Sequence, residues 1–274
     1  GRQGNMGFPP AIAVANDGTV HTVTREGGDW NSGHDLRYRK RSTSGSWSPD
    51  YVFQGPEKRN YVVGAAVDGA GNVHMLSTAA GDNVWGDVRI HRETGGSSNV
   101  DGNVTGVWRA DNDARLRAHG NTIYFVAGKN DTNGKSYISW GAGGSGLAGR
   151  IQSNLQTHAG GDGRKGFPDL SIDGSGTVHY TYGAQTGQVL YNKYDSSHTK
   201  AYGSDKQLFS GLGSWHLSIG LSAVGVSASG SRVVAVALKS NGDQGATDSD
   251  ILWSLSTDGG DTWTHLGGIA DLPS

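Results

Sequence analysis

The stretch that decides the fold is "GFPDLSIDGSGTVHYTY", which runs from Gly166 to Tyr182. A related stretch, "GFPPAIAVANDGTVHTVT", begins at Gly7, and the 159 residues that separate the two starts are three times 53. Further copies are "YVVGAAVDGAGNVHMLS" from Tyr61, "ARLRAHGNTIYFVA" from Ala114 and "LSAVGVSASGSRVVAVAL" from Leu221. Similarity at a fixed period is the signature of a repeat architecture. The chain is therefore predicted to contain five units of about 53 residues.

Each unit has the pattern of four short strands separated by Gly, Asp and Asn turns. In the first unit we expect strands at Ala11–Val14, Val20–Thr24, "DLRYRKR" from Asp35, and Trp47–Phe53. The predicted fold is an all-β β-propeller, a single domain over residues 1–274 with five four-stranded blades. Two stacked sandwiches are the alternative, but a sandwich gives no reason for the period. The approximate blades are 7–56, 57–108, 109–161, 162–216 and 217–268.

Composition excludes several classes of protein. Glycine provides 46 of the 274 residues, which suits many tight turns between short strands. The formal net charge of −2 argues against a nucleic-acid partner held by a broad phosphate-binding patch. There is no cysteine, so disulfides and thiolate metal sites are excluded. No run approaches the roughly 18 apolar residues of a membrane helix, so we expect no membrane insertion. We also expect a monomeric protein.

Near the end of the chain, "STDGGDTW" reads as Ser256-x-Asp258-x-Gly260-x-x-Trp263. These residues resemble the Asp-box, or BNR repeat, of the sialidase-like propellers, and "RSTSGSWS" from Arg41 occupies the same place in the first unit without the aspartate. We interpret the motif as structural. Asp258 is expected to accept hydrogen bonds from its own turn, Gly260 to adopt a left-handed backbone, and Trp263 to fold under as an apolar plug.

Three histidines fall in one column of the repeat, at the second strand: His21, His74 and His179. Imidazole is the commonest metal ligand, so the column invites a metal hypothesis. However, the other units place Tyr124 and Val234 in this column. We therefore predict packed, hydrogen-bonded histidines, with no bound metal and no cofactor. A structural calcium ion at acidic turns such as "DQGATDSD", Asp243 to Asp250, stays open.

Strand order divides the loops between two faces of a propeller. The first-hairpin turns and the "STDGGDTW" turn belong to one face, and the loops that follow each second strand belong to the other, together with the loops between units. The second face has the long loops "EGGDWNSGHD" from Glu26 and "AAGDNVWGD" from Ala79. An exposed Trp beside Asp and Asn suits a sugar, because the ring covers C–H groups while the polar groups bind hydroxyls. The alternative is that each Trp packs on its neighbouring blade.

The candidate ligand-binding residues on this second face come from the two long loops and from the loops between units. They are Asp29, Trp30, Asn31, His34, Asp82, Asn83, Trp85, Arg59, Arg164 and Trp215. Arginine in such a set is able to clamp a carboxylated sugar through paired hydrogen bonds. Asp169 is also assigned to a loop between units. Catalytic residues stay unknown, with four candidates for acid–base chemistry: His34, Tyr61, His158 and His216.

The predicted function is a secreted or cell-surface propeller that binds a glycan or polysaccharide. The first alternative is a glycan-cleaving enzyme, either a polysaccharide lyase or a glycoside hydrolase. The stretch from Gly166 also resembles repeats of BNR-type propeller polysaccharide lyases, and that resemblance implies His and Tyr chemistry on acidic polysaccharides. A true sialidase is disfavoured, because "GFPP" stands where that family has Arg-Ile-Pro. The second alternative is an extracellular structural or protein-interaction propeller.

Overall fold

The computed structural model describes residues 10–26, 35–53, 59–80, 86–93, 98–107, 114–129, 135–142, 149–156, 168–184, 187–212, 222–240 and 249–269. These residues form strands and turns and contain no helix, as expected for an all-β chain. Within these ranges there is accordingly no helix that is long and apolar enough to cross a membrane.

Within the described ranges, twenty strands follow one another and group into five sheets. The first sheet contains β1 (Ala11–Val14), β2 (Val20–Glu26), β3 (Asp35–Arg41) and β4 (Tyr51–Phe53). The second contains β5 (Arg59–Val67), β6 (Val73–Ala80), β7 (Gly86–Glu93) and β8 (Ser98–Val107). The third contains β9 (Ala114–His119), β10 (Thr122–Lys129), β11 (Lys135–Ala142) and β12 (Gly149–Gln156). The fourth contains β13 (Asp169–Ile172), β14 (Val178–Ala184), β15 (Gln188–Tyr194) and β16 (Lys206–Phe209). The fifth contains β17 (Ser222–Val226), β18 (Val233–Ser240), β19 (Ser249–Ser256) and β20 (Thr264–Ile269).

In every sheet the strands lie side by side in chain order, which is the arrangement predicted for a propeller blade. The pairing is antiparallel in the first, second, fourth and fifth sheets. The first hairpins of three sheets also have equivalent registers. Ala13 pairs with His21, Ala66 with His74, and Ser171 with His179.

Several strand boundaries differ from those predicted. The fourth strand of the first sheet begins at Tyr51 instead of Trp47, because Trp47 makes only an isolated bridge to Arg41. Pro49 follows shortly after and lacks the N–H donor that a continuous ladder needs. The second strands extend by about two residues or more beyond the predicted ends, as in β2, which reaches Glu26.

The chain divides into two compact units, Gly1–Phe125 with Trp140–Gly149, and Val126–Ser139 with Arg150–Ser274. In the first unit β1 packs on β5, and β5 packs on β9. Val23, Leu36 and Tyr38 of the first sheet form a buried cluster with Val73 and Met75 of the second. These residues alternate along their strands, so one face of each sheet supplies the core.

In the second unit β13 packs on β17, and a larger apolar cluster fills the space between the fourth and fifth sheets. Its buried members are Val189, Tyr191, Leu208, Phe209, Leu212, Val224, Val233, Ala235 and Ala237. Trp263 packs against this cluster, and its ring meets Tyr191 edge-on with the ring centroids 4.9 Å apart. The tryptophan therefore serves as the apolar plug that the sequence predicted.

Gly260 is the position where this packing depends on the absence of a side chain. Its φ is +93°, in the left-handed region, and a Cβ at this site would overlap the hydroxyl of Tyr191. Gly267 has a similar φ of +86°, but a Cβ there would meet nothing within 4 Å. Both glycines therefore adopt a left-handed backbone, but only at Gly260 would a side chain overlap a neighbouring residue.

We expect Gly260→Ala to lower the free energy of unfolding by about 3 kcal/mol or more, because backbone strain and overpacking each cost about 1–3 kcal/mol. Gly267→Ala, the matched control, is expected to cost about 1 kcal/mol from backbone strain alone. Urea unfolding of both variants measures the difference. Equal losses of stability would contradict the packing argument.

Candidate functional site

One end of the sheets is occupied by short turns that bind one another through the main chain. In the first unit the N–H of Gly69 donates to the carbonyl of Gly120 at 2.5 Å, which joins the second and third sheets. In the second unit the N–H of Gly174 donates to the carbonyl of Ala228 at 2.8 Å, which joins the fourth and fifth sheets. In each unit we call this end of the sheets the turn end. The contacts here are main-chain hydrogen bonds between turns of neighbouring sheets, which indicates a structural role for this end.

The Ser256–Trp263 turn also lies at the turn end, because the N–H of Gly259 donates to the carbonyl of Ser231 at 2.9 Å. Asp258 Oδ1 accepts hydrogen bonds from the N–H groups of Asp261 at 3.1 Å and Thr262 at 2.8 Å. The Thr262 hydroxyl, followed by the Thr262 N–H and the Ser256 hydroxyl, holds the pKa of Asp258 far below its ordinary value. The carboxylate is therefore used to close its own turn, as the sequence predicted.

This turn is also fastened to the fourth sheet by three long side chains. Lys193 Nζ donates to the carbonyl of Gly259 at 2.7 Å and to Asp261 Oδ1 at 3.1 Å. The Tyr202 hydroxyl donates to the carbonyl of Gly260 at 2.9 Å. Lys206 Nζ donates to the carbonyl of Asp261 and lies 3.9 Å from the centre of the Tyr202 ring. This lock between two sheets has no sequence signature and was not predicted.

The histidine column is buried and hydrogen-bonded, as predicted. His21 Nδ1 and His179 Nδ1 each lie 2.7 Å from a tyrosine hydroxyl, that of Tyr38 and that of Tyr191. His74 instead uses Nε2, which lies 2.9 Å from Asp68 Oδ2. No three His, Cys, Asp or Glu side chains among the residues that the structure describes are grouped to hold a metal ion.

His179 shows most clearly what burial does to this column. Its removal from water lowers its pKa to about 4, although Asp173 Oδ2, 3.7 Å from Nε2, opposes the shift. Burial also raises the pKa of Tyr191 well above its ordinary value. The neutral ring therefore accepts the Tyr191 hydroxyl proton at Nδ1 and turns its Nε2–H toward Asp173. The hydrogen bond to Tyr191 joins β14 and β15, and the buried ring is not exposed to a substrate.

A second polar cluster, which sequence reasoning missed, surrounds Asp205 in the fourth sheet. Its carboxylate accepts from Asn192 Nδ2 at 2.6 Å, from Lys200 Nζ at 2.8 Å and from the hydroxyl of Tyr182. These donors keep the pKa of Asp205 below its ordinary value despite the opposing effect of burial. Tyr180 stacks between Tyr182 and Tyr194. In the sequence, only the alternating tyrosines of "HYTYG", residues 179–183, indicated this cluster.

The opposite end of the sheets, which we call the loop end, is where the long loops leave. In the first sheet the last pair of β2 and β3 is Glu26 with Asp35, on either side of residues 27–34. Glu93 is the last residue of β7 and lies at the turn end of the second sheet. Its charge acts on His21 and Tyr38 of the first sheet, so the turn ends of these two sheets are on the same side. Residues 27–34 and 81–85 therefore leave from the same end of the first unit.

Most predicted site residues lie outside the residues that the structure describes. They are Asp29, Trp30, Asn31, His34, Asp82, Asn83, Trp85, His158, Arg164, Trp215 and His216. The same holds for residues 243–248 of the acidic turn that was considered for calcium. Their roles stay predictions.

Arg59, Tyr61 and Asp169 are the predicted loop residues that the structure does describe, and all three lie in strands. Arg59 and Tyr61 belong to β5 and pair with Ala80 and Thr78. Their assignment to a loop was wrong, because the ladder with β6 extends to the loop end. Both residues nevertheless flank the point where residues 81–85 leave the sheet.

Asp169, grouped with the loops between units, is the first residue of β13, in agreement with the strand Asp169–Ile172 that the repeat predicts. Its side chain is buried, and Oδ2 accepts the N–H of Val224 at 3.0 Å. The carboxylate therefore joins the first strands of the fourth and fifth sheets, and it is part of the core contact between them.

The buried His179 makes stability depend on pH. Its pKa is near the ordinary 6.5 in the unfolded chain and about 4 in the fold, so the unfolded chain binds more protons between these values. The stabilisation is complete above pH 6.5 and decreases toward pH 4, by on the order of 3 kcal/mol. Carboxylates with lowered pKa values, such as Asp173, act at lower pH.

We expect His179→Gln to flatten the decline of stability between pH 6.5 and pH 4, since Gln does not titrate but still accepts a hydrogen bond from Tyr191. Urea unfolding at a series of pH values measures this slope. The region above pH 6.5, where neither protein changes with pH through this group, is the internal reference. An unchanged slope in the variant would assign the acid sensitivity to other groups.

Comparison with known proteins identifies the fold. No protein family model and no curated protein matches the chain. Solved structures match over nearly its whole length, among them an α-L-arabinanase of Penicillium chrysogenum with a TM-score of 0.57 and 10% identity. That match covers 94% of this chain and 80% of the arabinanase.

Two further solved structures match to a similar extent. A PL25 ulvan lyase matches with a TM-score of 0.54 and 13% identity, over 98% of this chain and 71% of the lyase. The Hadza microbial sialidase Hz136 matches with a TM-score of 0.52 and 11% identity, over 95% of this chain. The chain spans only 58% of that sialidase. With its five four-stranded sheets, this protein has the sialidase-like β-propeller fold.

Proposed function

We propose that this protein is a secreted or cell-surface propeller that binds a glycan or polysaccharide at the loop end. The observation that carries the proposal is the difference between the two ends. The turn end is filled by main-chain contacts and by the Lys193, Tyr202 and Lys206 lock. The loop end has the long loops, whose sequences differ from unit to unit and include Trp30 and Trp85.

The chemistry of these loops favours a sugar. Each combines Trp with Asp and Asn, and an aromatic ring with polar neighbours binds both the apolar face and the hydroxyls of a pyranose. Arg59 begins the strand next to residues 81–85, which suits a carboxylate or sulfate on the ligand. A single asymmetric site is favoured over one pocket per sheet, because the loops diverge while the strands repeat.

A glycan-cleaving enzyme is the second candidate, and it is supported by several of the matched structures. The arabinanase, the ulvan lyase and the sialidase all act on glycans, and all share this fold. His34, Tyr61, His158 and His216 are the candidates for acid and base. Tyr61 is the one whose backbone position is described, in β5 opposite Thr78 at the loop end.

We expect Trp30→Ala and Trp85→Ala each to weaken glycan binding by roughly three- to tenfold, since aromatic contacts contribute about 0.5–1.5 kcal/mol beyond area burial. A glycan array with neutral and acidic polysaccharides identifies the ligand, and calorimetry measures the affinities. Leu266→Ala, which truncates an exposed apolar side chain of β20, is the control. Unchanged affinity in both tryptophan variants would refute the proposed site.

Binding and cleavage are separated by product assays on the ligands that the array identifies. A lyase forms an unsaturated product that absorbs ultraviolet light, whereas a hydrolase forms new reducing ends without that absorbance. Neither signal is expected from a binding protein. If product forms, His34→Ala, Tyr61→Phe, His158→Ala and His216→Ala show which candidate is required. A protein that binds no glycan on the array points to the protein-interaction alternative.

A further inference from the structure

Tyr191 and His179 form a phenol–imidazole pair that the proposed glycan site does not use. The Tyr191 hydroxyl lies 2.7 Å from His179 Nδ1, and both side chains are buried. Burial lowers the pKa of His179 and raises the pKa of Tyr191, so at neutral pH an uncharged phenol donates its hydrogen bond to an uncharged imidazole. Asp173 Oδ2 lies 3.7 Å from the other ring nitrogen, Nε2. The phenol therefore has a base on its proton, and that base has a carboxylate beside it.

This arrangement suits the removal of one electron from the phenol. A phenol that has lost an electron is a strong acid, and its proton needs an acceptor within hydrogen-bond distance. His179 Nδ1 is that acceptor. Asp173 is buried, but hydrogen bonds from Ser175 and Thr177 keep its pKa below the ordinary value, so it stays ionised. An imidazolium formed at His179 is therefore stabilised by a neighbouring negative charge.

Aromatic rings connect Tyr191 to the surface of the second unit. The half-buried Trp263 ring lies edge-on to Tyr191, with the ring centroids 4.9 Å apart. The Tyr202 ring lies 6.3 Å from Tyr191, and its hydroxyl donates to Asp261, whose side chain is 59% exposed. Electrons transfer between neighbouring aromatic rings without direct contact between the oxidant and the buried ring. Burial of Tyr191 therefore does not prevent its oxidation.

The same pair occurs in the first sheet, where His21 Nδ1 lies 2.7 Å from the Tyr38 hydroxyl. In the second sheet the register places Ile90 at the position of that tyrosine, two pairs along from His74. Ile90 is buried as well. An apolar side chain is therefore able to fill this position of the repeat, and packing alone does not require the phenol–imidazole pair.

We propose that Tyr191 and His179 form a one-electron redox site, oxidised through Trp263 or Tyr202 by a strong one-electron oxidant in solution. The oxidant gains the electron that Tyr191 loses, and the phenolic proton moves to His179 Nδ1. The products are a neutral tyrosyl radical and an imidazolium beside the Asp173 carboxylate. A dissolved one-electron donor such as ascorbate returns the electron, and the proton then returns to the phenol. The site lies between the fourth and fifth sheets, so the inference goes beyond the proposed function at the loop end.

The test is electron paramagnetic resonance after flash oxidation of the protein by photogenerated Ru(III) tris-bipyridine. All proteins have Tyr38→Phe, so that the pair in the first sheet does not contribute. We expect a long-lived tyrosyl signal that Tyr191→Phe abolishes. His179→Gln keeps a hydrogen-bond acceptor but provides no base, so it is also expected to abolish the signal. Tyr180→Phe is the matched control, because Tyr180 is a buried tyrosine of the same sheet whose hydroxyl lies 3.4 Å from Asp205 Oδ1.

Two further measurements separate a redox site from a merely structural pair. The signal is expected to form more slowly in D₂O, because the phenolic proton moves together with the electron. It is also expected to form more slowly, without being lost, in the double variant Trp263→Phe, Tyr202→Phe. Circular dichroism and urea unfolding show that each variant keeps the fold.

Persistence of the long-lived signal in Tyr191→Phe would overturn the proposal, and so would equal signals in His179→Gln and the parent protein. Loss of the signal in Tyr180→Phe would assign the radical to the tyrosines around Asp205 instead. A tryptophan radical without a tyrosyl signal would also overturn the proposal. An unchanged rate in the double variant would overturn the route through Trp263 and Tyr202.

Discussion

The contact between the first strands of neighbouring sheets is the interaction on which the rest of the structure depends. A four-stranded sheet has two faces, and each sheet contributes apolar side chains that only another sheet is able to cover. Small residues make this contact close. A Cβ at Gly64 of β5 would lie 3.1 Å from the Cβ of Leu116 in β9. In the second unit Asp169 and Ser171 add hydrogen bonds to the N–H groups of Val224 and Val226.

This contact makes the two ends of the sheets unequal. Adjacent first strands bring their following turns together, so Gly69 meets Gly120, and Gly174 meets Ala228. Turns whose main-chain groups hydrogen-bond to each other tolerate little change in length or shape. This explains why these turns are short and alike. The loop end has no such requirement among the described contacts, and the loops that leave there are free to diverge in sequence.

The polar groups in the interior serve the fold in the same way. His179 and Tyr191, which in isolation look like an acid and a base, are both buried and hold neighbouring strands together. Asp258 closes a turn, and Asp205 gathers three donors in the fourth sheet. Residues with reactive side chains are thus consumed by structure at the turn end and in the core. Binding is proposed at the loop end for this reason.

The sequence by itself determined the repeat, the strand order and the local turns, because these depend on residues close together in the chain. The repeat and its strand-length apolar runs identified β1, β13 and β18, and Asp258, Gly260 and Trp263 act within a single turn. Only the tertiary structure decided that Tyr202 binds Gly260 and that Tyr191 needs a glycine at that position. Such partners are far apart in the chain or on different strands. No local pattern specifies them, because they arise only when the apolar faces of the sheets come together.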